Sequence, residues 1–155
     1  FPDDGMHGIG LLFALNPLLI IFFQAPVVGI AGRYNPFLAI GVGAAFLGLG
    51  TGMLIDLHCL YVAIVACAIY TLGEMLFFAP AQLLCYQYSG IASRGRVLGS
   101  FKSIYAMSML MGPFSGALIY HVVGANVLWG FSAVLSLVFS MVFIGLQGWL
   151  KKDLV

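Results

Sequence analysis

Glu74 is the residue of this chain whose position most needs a chemical explanation. It is the only acidic side chain inside a long apolar stretch, residues 59–87, and lies about 14 residues from either end of it, or about 20 Å at 1.5 Å per helical residue. An ionised carboxylate at that depth in a membrane costs at least about 2.5 kcal/mol, which favours the neutral form. Two hypotheses follow: a carboxylate that binds a proton or a substrate in a cavity, or a neutral or hydrogen-bonded acid that fixes helix packing.

A helix would give Glu74 an aromatic setting. Tyr70 and Phe78 lie four residues before and after it, which places all three on one helical face. Such a face suits an amphipathic compound that competes with a proton for the carboxylate. The deepest base, Lys102, lies about 8 Å inside a later apolar stretch and still about 12 Å from the depth of Glu74. A direct ion pair between them is therefore not expected.

Two amide side chains, Asn16 and Gln24, lie inside the first apolar stretch. They could face the same cavity as Glu74 and contact a substrate. They could equally bond to a neighbouring helix, since polar bonds between helices are routine in membrane proteins. The residue types alone leave both interpretations open.

Other kinds of site are not indicated. Glu74 has no second acid near it and the chain shows no nucleophile–base set, so we predict neither an enzyme nor a cofactor. Asp56, His58, Cys59 and His121 match no metal-ligand spacing, so no metal site is predicted. The six bases form no patch, which argues against a nucleic-acid partner.

The composition places these residues in a lipid bilayer. Hydrophobic types make up 63% of the 155 residues and charged types only 7%, whereas soluble domains carry about 25% charged residues. Five stretches are long enough to span a membrane as helices. They are residues 8–31, 36–55, 59–87, 97–123 and 125–150. No strand-like alternation occurs, so we predict an all-α integral membrane protein with about five transmembrane helices.

Small residues and prolines punctuate the predicted helices. Residues spaced by four can let two helix backbones approach closely, and we expect tight packing there. They are Ala44, Gly48 and Gly52 in the second span, and Gly112 and Gly116 beside Pro113 in the fourth. Prolines inside a helix free a backbone carbonyl and produce either functional kinks or static bends. They are Pro17, Pro26, Pro80 and Pro113.

The basic residues predict the orientation. With antiparallel spans, all of them fall on one side of the membrane, which the positive-inside rule makes cytoplasmic. They are Arg33, Arg94, Arg96, Lys102, Lys151 and Lys152. The start of the chain is then outside and its C-terminus cytoplasmic.

Three segments in order carry a resemblance to a known family. The stretch 71–80 reads TLGEMLFFAP, residues 93–99 read SRGRVLG, and residues 112–116 read GPFSG. They resemble the tenth helix, the following cytoplasmic loop and the eleventh helix of major facilitator superfamily transporters. Residues 10–17 with 24–26 look like the eighth helix of the drug:proton antiporter branch. The corresponding family loop often carries an acidic residue and several bases, whereas residues 32–35 read GRYN, with one base and no acid. Only helices eight to twelve of twelve are matched.

The resemblance implies a fold and a function. The fold is part of a six-helix half-bundle, and Arg94, Gly95 and Arg96 form the cytoplasmic loop motif. The function is secondary transport, with a longer protein exporting small amphipathic compounds against a proton gradient, in a bacterial inner membrane. Its partners would be the lipid bilayer, protons, the substrate and the missing N-terminal half, without which this fragment is expected to be inactive. A peptide or sugar symporter of the same superfamily, or a non-transporting truncated membrane protein, remain alternatives.

Overall fold

The structure, a computed structural model, describes the backbone of residues 5–55 and 59–152 and the side chains of residues 10–55 and 59–147. Five helices account for nearly all of it, and no strand occurs among the described residues. They are α1 (Gly5–Ala31), α2 (Pro36–Gly52), α3 (Leu60–Tyr88), α4 (Arg94–Val123) and α5 (Ala125–Lys152). The predicted all-α fold is confirmed. The four prolines that were predicted to lie inside helices do so, in α1, α3 and α4.

Four of the five helices are long and apolar enough to cross a membrane. The exception is α2, which has 17 residues and is therefore about 26 Å long. The predicted second span, 36–55, thus exceeds the helix by three residues. Those residues continue as a tighter turn, in which the amides of Leu54 and Ile55 donate to the carbonyls of Thr51 and Gly52.

Local signals explain the start of α2. Asn35 is its N-cap, and the side-chain oxygen of Asn35 accepts a bond of 2.9 Å from the amide of Phe37. Pro36 follows at the first helical position, where its missing N–H costs nothing.

Helix α4 begins three residues earlier than predicted. Arg94, Gly95 and Arg96 form its first turn instead of belonging to the loop, because the amide of Val97 already donates to the carbonyl of Ser93 at 3.0 Å. At its other end only Gly124 separates α4 from α5. Gly124 has φ of 95°, a conformation that other residues rarely adopt, so this one-residue link depends on glycine.

Helix α2 lies at the centre of the bundle, packed between α3 and α5, and α3 also contacts α1 and α4. Glycines allow the close contacts. A Cβ at Gly43 would lie 2.7 Å from the amide nitrogen of Phe77, and one at Gly73 would lie 2.7 Å from that of Leu47. A side chain at either position would force the backbones of α2 and α3 apart.

The predicted small-residue contacts are found only in part. Gly48 meets the carbonyl of Ala133 on α5, where an added Cβ would lie at 3.1 Å, and Gly52 has an ordinary contact with the same residue. Gly112 and Gly116 have no atom within 4 Å of an added Cβ among the described residues. Their i, i+4 spacing permits close packing, but no described helix occupies that face of α4.

Candidate functional site

The candidate site is built on one face of α3. Glu74 lies in the middle of this helix, which runs from Leu60 to Tyr88, and its side chain is half-buried. Tyr70 and Phe78 flank it one turn away on either side, and all three line one cavity of about 380 Å³ between α3 and α4. The predicted grouping of the carboxylate with these two rings is therefore present in the fold.

Asn16 of α1 is hydrogen-bonded to Glu74. Its Nδ2 donates to Oε2 of Glu74 at 2.8 Å and to Oγ1 of Thr71 at 3.0 Å. Thr71 in turn donates to the carbonyl of Cys67 at 2.7 Å and is completely buried. Asn16 thus combines the two roles left open by the sequence, because it joins two helices and also lines a cavity with Glu74.

A second cavity, of about 280 Å³, extends from Glu74 along α1. It contains Asn16, Gln24 and Gln82, and it shares Glu74, Phe78 and two α4 side chains with the first cavity. Together the two cavities form one cleft, with α3 as its floor and α1 and α4 as its walls. We call this the Glu74 cleft. The larger of its two cavities, of about 380 Å³, falls in the range of small-molecule sites, about 300–1,000 Å³.

Aromatic rings line the α4 side of the Glu74 cleft. Tyr105 packs edge-on against Phe78 with ring centroids 5.0 Å apart, and Phe77 packs edge-on against Phe78 at 5.3 Å. Edge-to-face pairs of this kind hold their rings in a defined geometry. The carboxylate is therefore surrounded by apolar surface with a few polar groups, as in sites for amphipathic ligands.

Lys102 does not reach Glu74. Its ammonium lies 6.0 Å from the ring centroid of Tyr105, at the edge of the cleft, and its side chain is exposed. The ring of Tyr105 packs against Phe78 and lies near the Lys102 ammonium.

Three residues of the site were missed by the sequence analysis: Gln82 and Tyr105, which line the Glu74 cleft, and Thr71, which bonds to Asn16. Gln82 had a signal, since positions 70, 74, 78 and 82 continue a spacing of four along α3. Tyr105 and Thr71 had none, because their roles depend on which helices meet.

The motif Arg94–Arg96, predicted as a cytoplasmic loop, has a structural contact that the sequence did not predict. The guanidinium of Arg94 lies 4.2 Å from the ring centroid of Tyr86, and its Nη1 donates to the Tyr86 hydroxyl at 3.2 Å. This pair joins the end of α3 to the start of α4. Gly95 has open space around it, and Arg96 is exposed.

Another cavity, with a volume of about 560 Å³, lies between α1, α2, α3 and α5. Its walls include Cys67, Trp129 and Ser136, and Tyr70 is its one residue in common with the Glu74 cleft. Among the described residues no group of three or more His, Cys, Asp or Glu side chains could hold a metal ion. Asp56 and His58, two of the four residues considered above as metal ligands, lie outside the described residues.

Comparison with known proteins gives a distant relative. The chain is similar to a Bacillus subtilis (strain 168) protein named "Uncharacterized MFS-type transporter YqjV", with 22% identity over 123 residues. The match covers 79% of this chain and 30% of the relative's length. No family model and no solved structure matches the chain. Apolar helices of spanning length and similarity to a transporter of the major facilitator superfamily (MFS) together indicate a multi-pass integral membrane protein.

Proposed function

We propose that the chain forms part of the C-terminal half of a major facilitator superfamily secondary transporter and that the Glu74 cleft belongs to its transport pathway. In this proposal Glu74 binds a proton in exchange for a small amphipathic compound, which the full-length protein exports. The observation that carries the proposal is a carboxylate at mid-length of a spanning helix that faces a cleft instead of a close-packed interface. Intramembrane carboxylates in cavities are typical of proton and substrate pathways.

The lining of the cleft supports the class of substrate. Tyr70, Phe78 and Tyr105 offer apolar faces, while Gln24 and Gln82 offer amides beside the carboxylate. A compound with an aromatic or aliphatic body and one polar or cationic group matches this arrangement. The sparse packing of α4 supports a second part of the proposal, that further helices of the full-length protein close the cleft, as in transporters built from two halves.

The test is transport by the full-length protein in vesicles, measured against external pH. Glu74→Gln keeps the shape of the side chain but cannot take up a proton, so we expect substrate binding to persist and the pH dependence to disappear. Cys85→Ser is a matched control, because it is a small polar change on the same helix away from the cleft. If Glu74→Gln keeps the wild-type pH profile, Glu74 has a structural role and the proposal is wrong.

The direction of flux can be tested in the same vesicles. An imposed pH gradient should drive substrate against the flow of protons if the protein is an antiporter. Movement of substrate with the protons would identify a symporter, and no saturable movement would identify a non-transporting membrane protein. Purified residues 1–155 alone should insert into the membrane but transport nothing, since one wall of the cleft is missing.

The proposed orientation places the C-terminus in the cytoplasm of a bacterial cell. Arg33 lies in the link between α1 and α2, Arg94 and Arg96 lie in the first turn of α4, and the side chains of Lys151 and Lys152 lie outside the described residues. Reporter fusions after Arg33, His58, Arg94 and Gly124 should alternate between inside and outside. Two consecutive fusions on the same side would contradict the five-helix topology.

A further inference from the structure

A short series of hydrogen bonds runs from the backbone of α3 to the carboxylate of Glu74. The hydroxyl of Thr71, a residue with an exposed fraction of 0%, lies 2.7 Å from the Cys67 carbonyl oxygen and 3.0 Å from Nδ2 of Asn16. The same nitrogen lies 2.8 Å from Oε2 of Glu74. Thr71 has no contact with the carboxylate in this series and reaches it only through Asn16.

The number of protons available sets the direction of each bond. A carbonyl can only accept, so the single hydroxyl proton of Thr71 is donated to Cys67. The hydroxyl oxygen can then only accept from Asn16. The Asn16 group that faces Thr71 must therefore be the amide nitrogen, whose two protons serve Thr71 and Glu74.

We propose that Thr71 is a positioning residue that fixes the Asn16 amide as a donor to Glu74, so that the Asn16–Glu74 bond persists whether Glu74 is charged or neutral. This inference rests on the proposed function of Glu74. A carboxylate oxygen accepts a hydrogen bond, and so does the carbonyl oxygen of a protonated carboxyl group. With Oε2 held by Asn16, the proton is taken up and released at the other oxygen, Oε1.

Without the Thr71 hydroxyl, nothing would fix which end of the Asn16 amide faces Glu74. The Asn16 amide could then rotate and present its oxygen to Glu74. An amide oxygen bonds to a protonated carboxyl group but repels a charged one. The balance between the two states of Glu74 would then change although no residue in contact with Glu74 had been altered.

The other titratable and charged groups around Glu74 are few. On α3 they are Tyr70 and Cys67, and on α4 they are Tyr105 and, at the edge of the cleft, Lys102. The described part of α1, residues 10–31, contains none. These groups stay unchanged in the variants below, so a change in pH profile can be assigned to the Thr71–Asn16 bond.

The experiment measures transport against pH in vesicles that contain the full-length protein. Thr71→Val should shift the midpoint of the profile by about half a pH unit or more, which corresponds to the loss of one hydrogen bond. Thr71→Ser should restore the wild-type midpoint. Thr51→Val is the matched control, because Thr51 makes the same bond to a carbonyl four residues back, at 3.0 Å, and its hydroxyl bonds to no other helix among the side chains that the structure describes.

A double variant separates positioning from general stabilisation. With Asn16→Leu already present, Thr71→Val should cause no further shift, because its effect passes through the amide. Thr71→Ala serves in the same design where Thr71→Val does not accumulate in the membrane. An unchanged midpoint in Thr71→Val, or an equal shift in the presence of Asn16→Leu, overturns the positioning role.

The parent proposal fails in a different way. If Glu74→Gln keeps the wild-type profile, Glu74 is not the proton site and both inferences are wrong. If Glu74→Gln removes the pH dependence while Thr71→Val leaves the midpoint unchanged, the proposed function stands and only the role of Thr71 is refuted.

Discussion

Helices α2 and α4 carry the same kind of small-residue pattern, but they use it differently. Four of the seven buried residues in α2 are glycines, at which α3 and α5 approach closely. In α4 the pair Gly112 and Gly116 has equal spacing, yet no residue of α4 is buried among those described. A stripe of small residues permits close approach, and only a partner helix turns it into a contact. The same spacing is thus a packing site in one helix and an open face in the other.

The difference follows the position of each helix in the bundle. α2 is surrounded by α3 and α5, whereas α4 contacts α3 and α5 only sparsely and turns Phe114 and Leu118 outward. In a membrane such residues can face lipid without cost. In the proposed transporter part of this face is covered by helices outside the chain, which makes the contrast testable.

The largest effect is expected from filling a close contact of α2. Gly43→Ala would place a Cβ 2.7 Å from the backbone of α3. A backbone atom cannot rotate away as a flexible side chain can, so the helices themselves would have to shift. We expect the free energy of unfolding of residues 1–155 in detergent to fall by about 2 kcal/mol or more, as for other overpacked sites. Gly112→Ala is the control, since its Cβ meets nothing within 4 Å, and it should leave stability nearly unchanged.

The substitutions Gly43→Ala and Gly112→Ala can also be compared in the full-length protein. If helices outside residues 1–155 pack on α4, Gly112→Ala should become destabilising there while it stays neutral in the 155-residue chain. Equal tolerance in both proteins would mean that this face of α4 meets lipid. Tolerance of Gly43→Ala in either would contradict the close α2–α3 contact.

A smaller effect is expected from the polar contact between α1 and α3. Asn16→Leu removes the donor to both Thr71 and Glu74. Polar bonds between membrane helices are worth about 0.6 kcal/mol on average and up to about 1.7 kcal/mol, so we expect a loss near 1 kcal/mol in the unfolding free energy. Gln24→Leu, at an exposed amide of the same helix, should cost less. Equal losses would show that the Asn16 bonds do not join the helices.

The smallest effect is expected where the end of α3 meets the start of α4. Arg94→Lys keeps the charge but loses the planar group that stacks on Tyr86 and bonds to its hydroxyl. A loss of a few tenths of a kcal/mol is expected, because the pair is exposed to solvent. The measurement is the rate of proteolysis at residues 89–93, which should rise in Arg94→Lys and stay constant in the control Arg96→Lys. An unchanged rate in Arg94→Lys would show that α4 is not held by this pair.

The sequence by itself determined the helices and one face of α3. Long apolar stretches with very few charges leave the backbone no hydrogen-bond partner but itself in a membrane, so helices form where the hydropathy places them. Glu74, Tyr70 and Phe78 share a face because the helical period alone puts residues four apart side by side. The exact helix ends were less predictable. The start of α4 at Arg94 was missed because an arginine in a loop and an arginine in the first turn of a helix look alike in sequence.

The tertiary structure alone decided which side chains meet across helices. Asn16 and Thr71 are 55 residues apart, and nothing in their local sequence shows that an amide of α1 lies against a hydroxyl of α3. Gly43 and Gly73 became contact sites, and Gly112 and Gly116 did not, because helix rotation and neighbour choice depend on the packing of the whole bundle. Periodicity fixes what lies on one helix face, and only the assembled helices fix what that face touches.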